Sequence, residues 1–173
     1  MKQIIITFLV IVIFSSCSKT EENDHEQIIP KISNNQITYS INDFLEIGFK
    51  KTKEYNVDEL PFADSAFWGF WKNNLDGPKE FEIRFYPTHQ MLMENGINFA
   101  DEVIGKEAKL TKKHATWKEG IKNRRWGGFY LDGSIDSKYY GYIVYSNFII
   151  FCEGREQEQS ITRCSEIIKK IKK

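Results

Sequence analysis

Glu80-Phe81-Glu82-Ile83-Arg84-Phe85-Tyr86 alternates charged and apolar side chains without a break. Successive side chains of a strand point to opposite faces, so Phe81, Ile83 and Phe85 face one core and the charged residues the other side. Upstream, Ala66-Phe67-Trp68-Gly69-Phe70-Trp71 is dense in rings and reads as a second strand. Asn73-Asn74-Leu75-Asp76-Gly77-Pro78 between them has turn composition, which predicts an antiparallel hairpin.

Pro87 ends this strand, and Thr88 is placed to cap a helix over 88–104 with Met91, Leu92, Ile97, Ala100, Val103 and Ile104 as its apolar positions. Gly96 interrupts that helix and Gly105 stops it. Ser40-Ile41-Asn42-Asp43 has the form of a capped helix start and predicts a short helix over 41–51, with Gly48 inside it. Residues 56–64, with Pro61, read as a loop. Residues 106–120 are mixed, 119–125 fit a helical turn, and 126–138 form a Gly/Asp/Ser-rich loop. Residues 139–145 and 148–152 read as two strands joined at Ser146-Asn147, or as one long bent strand. A last helix over 156–172 has the stripe Ile161, Cys164, Ile168 and Ile171, with Glu156 and Glu158 at its start and Lys169, Lys170, Lys172 and Lys173 at its end. This order predicts an α+β domain over 37–173, a small antiparallel sheet with helices packed on one face.

The N-terminus is of another kind. After Met1-Lys2-Gln3, residues 4–14 are apolar except for Thr7. A spanning helix needs about 17 or more apolar residues, so this run fits the apolar region of a secretory leader. Phe14-Ser15-Ser16-Cys17 follows and resembles the lipobox of bacterial lipoproteins, in the form found in the Bacteroidota, with Phe14 where Leu is usual. The resemblance implies removal of residues 1–16 and acylation of Cys17. Two or more acyl chains, at about 0.8 kcal/mol per buried methylene, hold a protein firmly at a bilayer. Residues 17–36 then read as an acidic, disordered linker. Ser18 to Gln27 includes no apolar residue and carries Glu21, Glu22, Asp24 and Glu26 around His25. Acidic residues after the cysteine resemble the surface-export signal of such lipoproteins, although Lys19 stands among them. Outer-membrane, cell-surface and periplasmic positions in the envelope all stay open.

The chain carries 24 basic and 24 acidic residues, and losing the leader removes only Lys2. That balance gives no broad field for nucleic acid, which the exported compartment also disfavours. Cys152 and Cys164 remain after Cys17. In an oxidising compartment they predict a strand–helix disulfide contributing about 2–4 kcal/mol; two buried free thiols are the alternative.

Two clusters are candidate ligand sites. In the run of Phe67, Trp68, Phe70 and Trp71, alternation puts Phe67 and Gly69 on one face and Trp68 and Phe70 on the other. One or two of the rings, with Trp68 and Trp71 as the candidate ligand residues, form a platform for a sugar or an apolar ligand, or else the run is an aromatic core under a helix. Arg124, Arg125 and Trp126, with Trp117 and Tyr130, fit a carboxylate or phosphate beside an aromatic ring, and Gly127-Gly128 would let that loop move. The plain alternative is a loop covering the sheet. His89 and His114 have no partner at metal-ligand spacing, and the fold would have to bring Glu94, Asp101 or Glu119 to them. Asp132-Gly133-Ser134-Ile135-Asp136 lacks the EF-hand pattern's glycine at loop position 6 and its terminal glutamate, and reads as a polar turn. No motif points to a metal or cofactor. The preferred reading is a membrane-tethered binding or interaction module for a small molecule, a glycan or an envelope protein. The alternatives are a small hydrolase-like enzyme using His89 or His114 with a carboxylate, and an envelope structural protein without a ligand.

Overall fold

The computed structural model describes residues 28–73, 76–126 and 135–171. In chain order the elements are β1 (Ile32–Ser33), α1 (Ile41–Glu46), β2 (Lys50–Tyr55), β3 (Ser65–Asn73), β4 (Gly77–Phe85), α2 (His89–Asn95), α3 (Ile97–Asp101), a 3-10 turn (Ile121–Arg124), β5 (Tyr139–Tyr145), β6 (Phe148–Glu153) and α4 (Gln157–Ile171). The strands form one sheet in the order β1-β5-β6-β4-β3-β2. The predicted hairpins are present: β3 pairs β4 from Ser65↔Phe85 to Asn73↔Gly77, and β5 pairs β6 through Ser146-Asn147. Asn147 fixes the second turn, accepting from Tyr39 N at 2.7 Å and donating to Tyr39 O and Tyr86 O.

The class is mixed α and β, with two corrections to the expected architecture. The sheet is not purely antiparallel, because β1 runs parallel to β5. Helices also lie on both faces. Phe67, Trp71, Phe81, Ile83, Phe85, Ile150 and Cys152 point to one face, where Phe44 of α1 and Cys164, Ile167, Ile168 and Ile171 of α4 cover them. Tyr142, Val144, Ile149 and Phe151 point to the other face, where Leu92 of α2 and Ala100 of α3 cover them. The physical reason is legible in β5 and β6, which are apolar almost continuously. A strand covered on both faces loses the polar half of its alternation.

Three further boundaries differ from expectation. Residues 28–36, read as linker, are packed: Ile29 is buried, its N–H donates to Ser165 Oγ at 3.0 Å, and Lys31 O and Ser33 O accept from Val144 N and Ser146 N. This short strand occupies the edge of β5. The helix expected over 41–51 stops at Glu46, and Lys50 begins β2 after Gly48 turns the chain at φ +87°. The helix expected over 88–104 is two short helices broken at Gly96, where the Tyr86 hydroxyl lies 2.7 Å from the position of an added Cβ. Thr88 caps the first of these, accepting from Met91 N at 3.1 Å.

Cys152 of β6 and Cys164 of α4 are disulfide-bonded, with Cα atoms 5.6 Å apart and both residues buried in the first core. The leader, Cys17 and His25 lie outside the described residues, as do Gly127, Gly128, Tyr130 and the 132–134 part of the calcium-like turn. No helix among the described residues is long and apolar enough to cross a membrane.

Candidate functional site

The alternation that buries Phe81, Ile83 and Phe85 sends Glu82 and Arg84 to the second face. There Trp117 and the segment around it close over them, and both side chains are fully buried. Glu82 meets two guanidiniums. Arg124 Nε donates to its Oε2 at 2.7 Å and Nη2 to Oε1 at 3.0 Å, while Arg84 Nε donates to Oε1 at 2.8 Å. Arg84 Nη1 donates to Phe99 O at 3.1 Å. The Trp117 ring lies against both guanidiniums, 4.4 Å from Arg124 and 4.8 Å from Arg84. Burial alone would raise the Glu82 carboxyl. The charges of Arg124 and Arg84, with their hydrogen bonds, more than reverse this and hold it below the usual carboxylate range.

This ionic layer fixes the wall of a surface groove. Arg124 ends the 3-10 turn, so its two bonds to Glu82 anchor that turn to β4. Lys122 and Arg125 flank the anchor and line a concavity of about 310 Å³ together with Lys53 of β2, Lys112, Lys118 and Glu119. Gly120 starts the turn at φ +72°, and the Tyr55 ring stands 2.7 Å from the position of its missing Cβ. Only glycine offers both this backbone conformation and this close approach. The rest of the wall is tied down by Glu102, which accepts from Lys109 Nζ at 2.8 Å, Thr116 N at 3.0 Å and Thr116 Oγ1 at 2.7 Å. Its carboxyl, which partial burial would raise, is held low by those bonds.

Among the described residues, the groove carries five cationic side chains against one carboxylate. Glu119 is engaged by Lys53 at 3.0 Å. Among the described residues no carboxylate pairs with Lys112, Lys118, Lys122 or Arg125. A second concavity of about 590 Å³ shares Lys112, Lys118 and Glu119 and adds Asn56, Asp58, Glu59 and Trp117.

The candidate ligand residues do not form one site. Trp68 and Trp71 lie on opposite faces of β3. Trp71 is buried in the first core, where its indole N–H donates to Ile47 O at 3.0 Å. Trp68 is half-buried on the second face, and its indole N–H donates to Glu80 Oε2 at 3.0 Å. The expected alternation is present, and Trp71 is corrected as a ligand-platform residue because it is buried in the first core. Arg124 is structural, Arg125 lines the groove, and Trp126 sits under the Arg155 guanidinium at 4.5 Å. His89 Nδ1 lies 2.6 Å from Ser146 O, and His114 Nδ1 lies 3.1 Å from Thr111 Oγ1. Neither histidine makes a hydrogen bond or ion pair with Glu94, Asp101 or Glu119 among the described residues. No cluster of His, Cys, Asp and Glu among the described residues is placed to hold a metal ion.

Sequence reasoning missed Glu82, Arg84, Lys53, Lys112, Lys118 and Lys122. The opposite charges two apart in β4 are a local signal for the buried pair, whereas nothing local marks the lysines, which converge only through the fold.

No curated protein and no solved structure matches the chain. Residues 40–173 match a family of unknown function, DUF6810, and the chain belongs to that family.

Proposed function

We propose that the protein is a membrane-tethered, extracytoplasmic binding module, held in the bacterial envelope through an acylated Cys17, whose groove takes an anionic ligand. The leader and the Phe14-Ser15-Ser16-Cys17 junction support the tether. The observation that carries the binding reading is the groove of Lys53, Lys112, Lys118, Lys122 and Arg125, with Glu119 as the one carboxylate among its described lining residues. Cations facing a shared concavity repel one another, and an anion relieves that repulsion. The ligand class is a small molecule or chain end bearing phosphate or carboxylate groups. The hydrolytic reading receives no support from the surroundings of His89 and His114.

The test is titration of the protein with pyrophosphate and with citrate, followed by amide NMR. Chemical-shift changes are expected within residues 110–125, with affinity falling steeply as salt is added. Lys118→Glu/Lys122→Glu is expected to weaken binding about tenfold or more, since 1.4 kcal/mol is a factor of ten. Shifts scattered outside this segment, or equal affinity in the variant, would overturn the groove as the site.

A further inference from the structure

Among the described residues, the buried layer beneath the groove holds more donors and more positive charge than its own residues satisfy. Glu82, Arg84 and Arg124 are each at most 2% exposed, so one carboxylate faces two guanidiniums out of reach of solvent. Among the described residues, the nearby carboxylates Glu80 and Glu119 are engaged elsewhere, Glu80 by Lys138 and the Trp68 indole and Glu119 by Lys53. Arg84 Nη2 is ion-paired with Glu82 Oε1 at 2.7 Å but makes no aligned hydrogen bond among the described residues. The hydroxyls of Tyr55 and Tyr139, both buried, also have no hydrogen-bond partner among the described residues.

These groups belong to one layer. The Tyr55 ring packs edge-on against Trp117 at 5.8 Å, the ring on which both guanidiniums rest. Tyr139 packs on Phe151 at 5.9 Å, and Phe151 carries the Arg84 guanidinium on its ring at 4.4 Å. Burial raises both phenols well above their ordinary value, so they stay protonated and offer hydrogens at any neutral pH. Buried polar groups in native proteins find partners, and buried charges find counter-charges.

We propose that this layer binds one small monovalent anion of the halide type, with the Arg84 and Arg124 pair supplying the charge and the Tyr55 and Tyr139 hydroxyls and Arg84 Nη2 supplying hydrogen bonds. Water would satisfy the hydroxyls but leave the charge. A phosphate or sulfate dianion would overcompensate it and needs more donors than the layer provides. The site stands on different residues from the groove and does not rest on the groove's ligand.

The experiment uses the intact chain, melted in sodium chloride, bromide or gluconate at matched ionic strength, and crystals grown in bromide. A ligand bound only by the folded state stabilises it by RT ln(1 + [L]/Kd). Tm is therefore expected to rise by roughly 5 °C or more as chloride passes from below its Kd to about a hundredfold above it. Bromide should give an anomalous peak beside Arg84 and Tyr139. Tyr139→Phe keeps the ring, so it should fold and show a chloride dependence shifted several-fold to higher concentration. Lys118→Glu/Lys122→Glu should leave the dependence intact, which separates this site from the groove. Equal Tm in chloride and gluconate, or bromide peaks confined to the surface, overturns the proposal.

Discussion

Glu82 ties the interior to the surface. It lies on the charged side of a strand whose alternation is plain, and that side would ordinarily face water. Here Trp117 and Arg124 cover it, so its charge is held by Arg84 and Arg124 instead. Removing one partner of a buried ionic cluster costs about 3–5 kcal/mol, because the others stay buried without it. Glu82→Gln is expected to lower stability by that order in urea denaturation at neutral pH. The carboxyl is depressed in the folded state, so its contribution is complete above the unfolded-state value and fades as pH falls through the folded value. Stability of the wild type should therefore decline from about pH 5 downward. Asp76 and Glu102 add to that slope, since hydrogen bonds from Arg163 and Asn73 and from Lys109 and Thr116 reverse the effect of their partial burial. Glu82→Gln should have a shallower acid limb, read as urea midpoint against pH. An unchanged limb would mean that the carboxyl is not held by the arginines. At this scale the sequence exposes which residues alternate, but not which charged residues become buried.

The elements divide by how their cohesion is encoded. The last helix is legible because its stripe of Ile161, Cys164, Ile168 and Ile171 repeats at helical spacing, and α4 spans nearly the predicted residues. β2 is not legible. Lys50-Lys51-Thr52-Lys53-Glu54 is exposed along its length, and its strand form comes from pairing with β3. Close approach makes that pairing possible: a Cβ on Gly69 would lie 2.2 Å from Lys50 O. The disulfide joins a strand and a helix that each carry their own apolar signal. Its two cysteines are 12 residues apart, so Cys152→Ala/Cys164→Ala is expected to cost about 2–4 kcal/mol while Ile167, Ile168 and Ile171 keep α4 docked. The check is the urea midpoint of the variant against the oxidised wild type; equal midpoints would show that the bond adds no stability.

At the scale of the molecule, the sheet carries its charge-lined groove at the β2 end, while the chain enters at the opposite edge through β1. A tether ahead of β1 would therefore meet the domain at the edge farthest from β2. Cys17→Ala is expected to move the protein from the membrane fraction to the soluble fraction and to remove the acyl mass from its N-terminal peptide. Retention in the membrane, or a native Cys17 without acyl chains, would end the tether proposal. By itself, the sequence determined the local elements with strong periodicity: the hairpin strands around Phe81 to Phe85, the apolar pair at 139–145 and 148–152, α4, and the cysteines that join two of them. These follow from spacing along one segment, where period two or period 3.6 sorts side chains onto faces before any tertiary contact exists. Only the tertiary structure decided that both faces are covered, that Trp71 is buried while Trp68 is half-buried, that Glu82 gathers two arginines, and that lysines from β2 and from 112–122 share one concavity. Such outcomes depend on residues brought together from distant positions, and burial and field belong to the assembled neighbourhood rather than to a residue type.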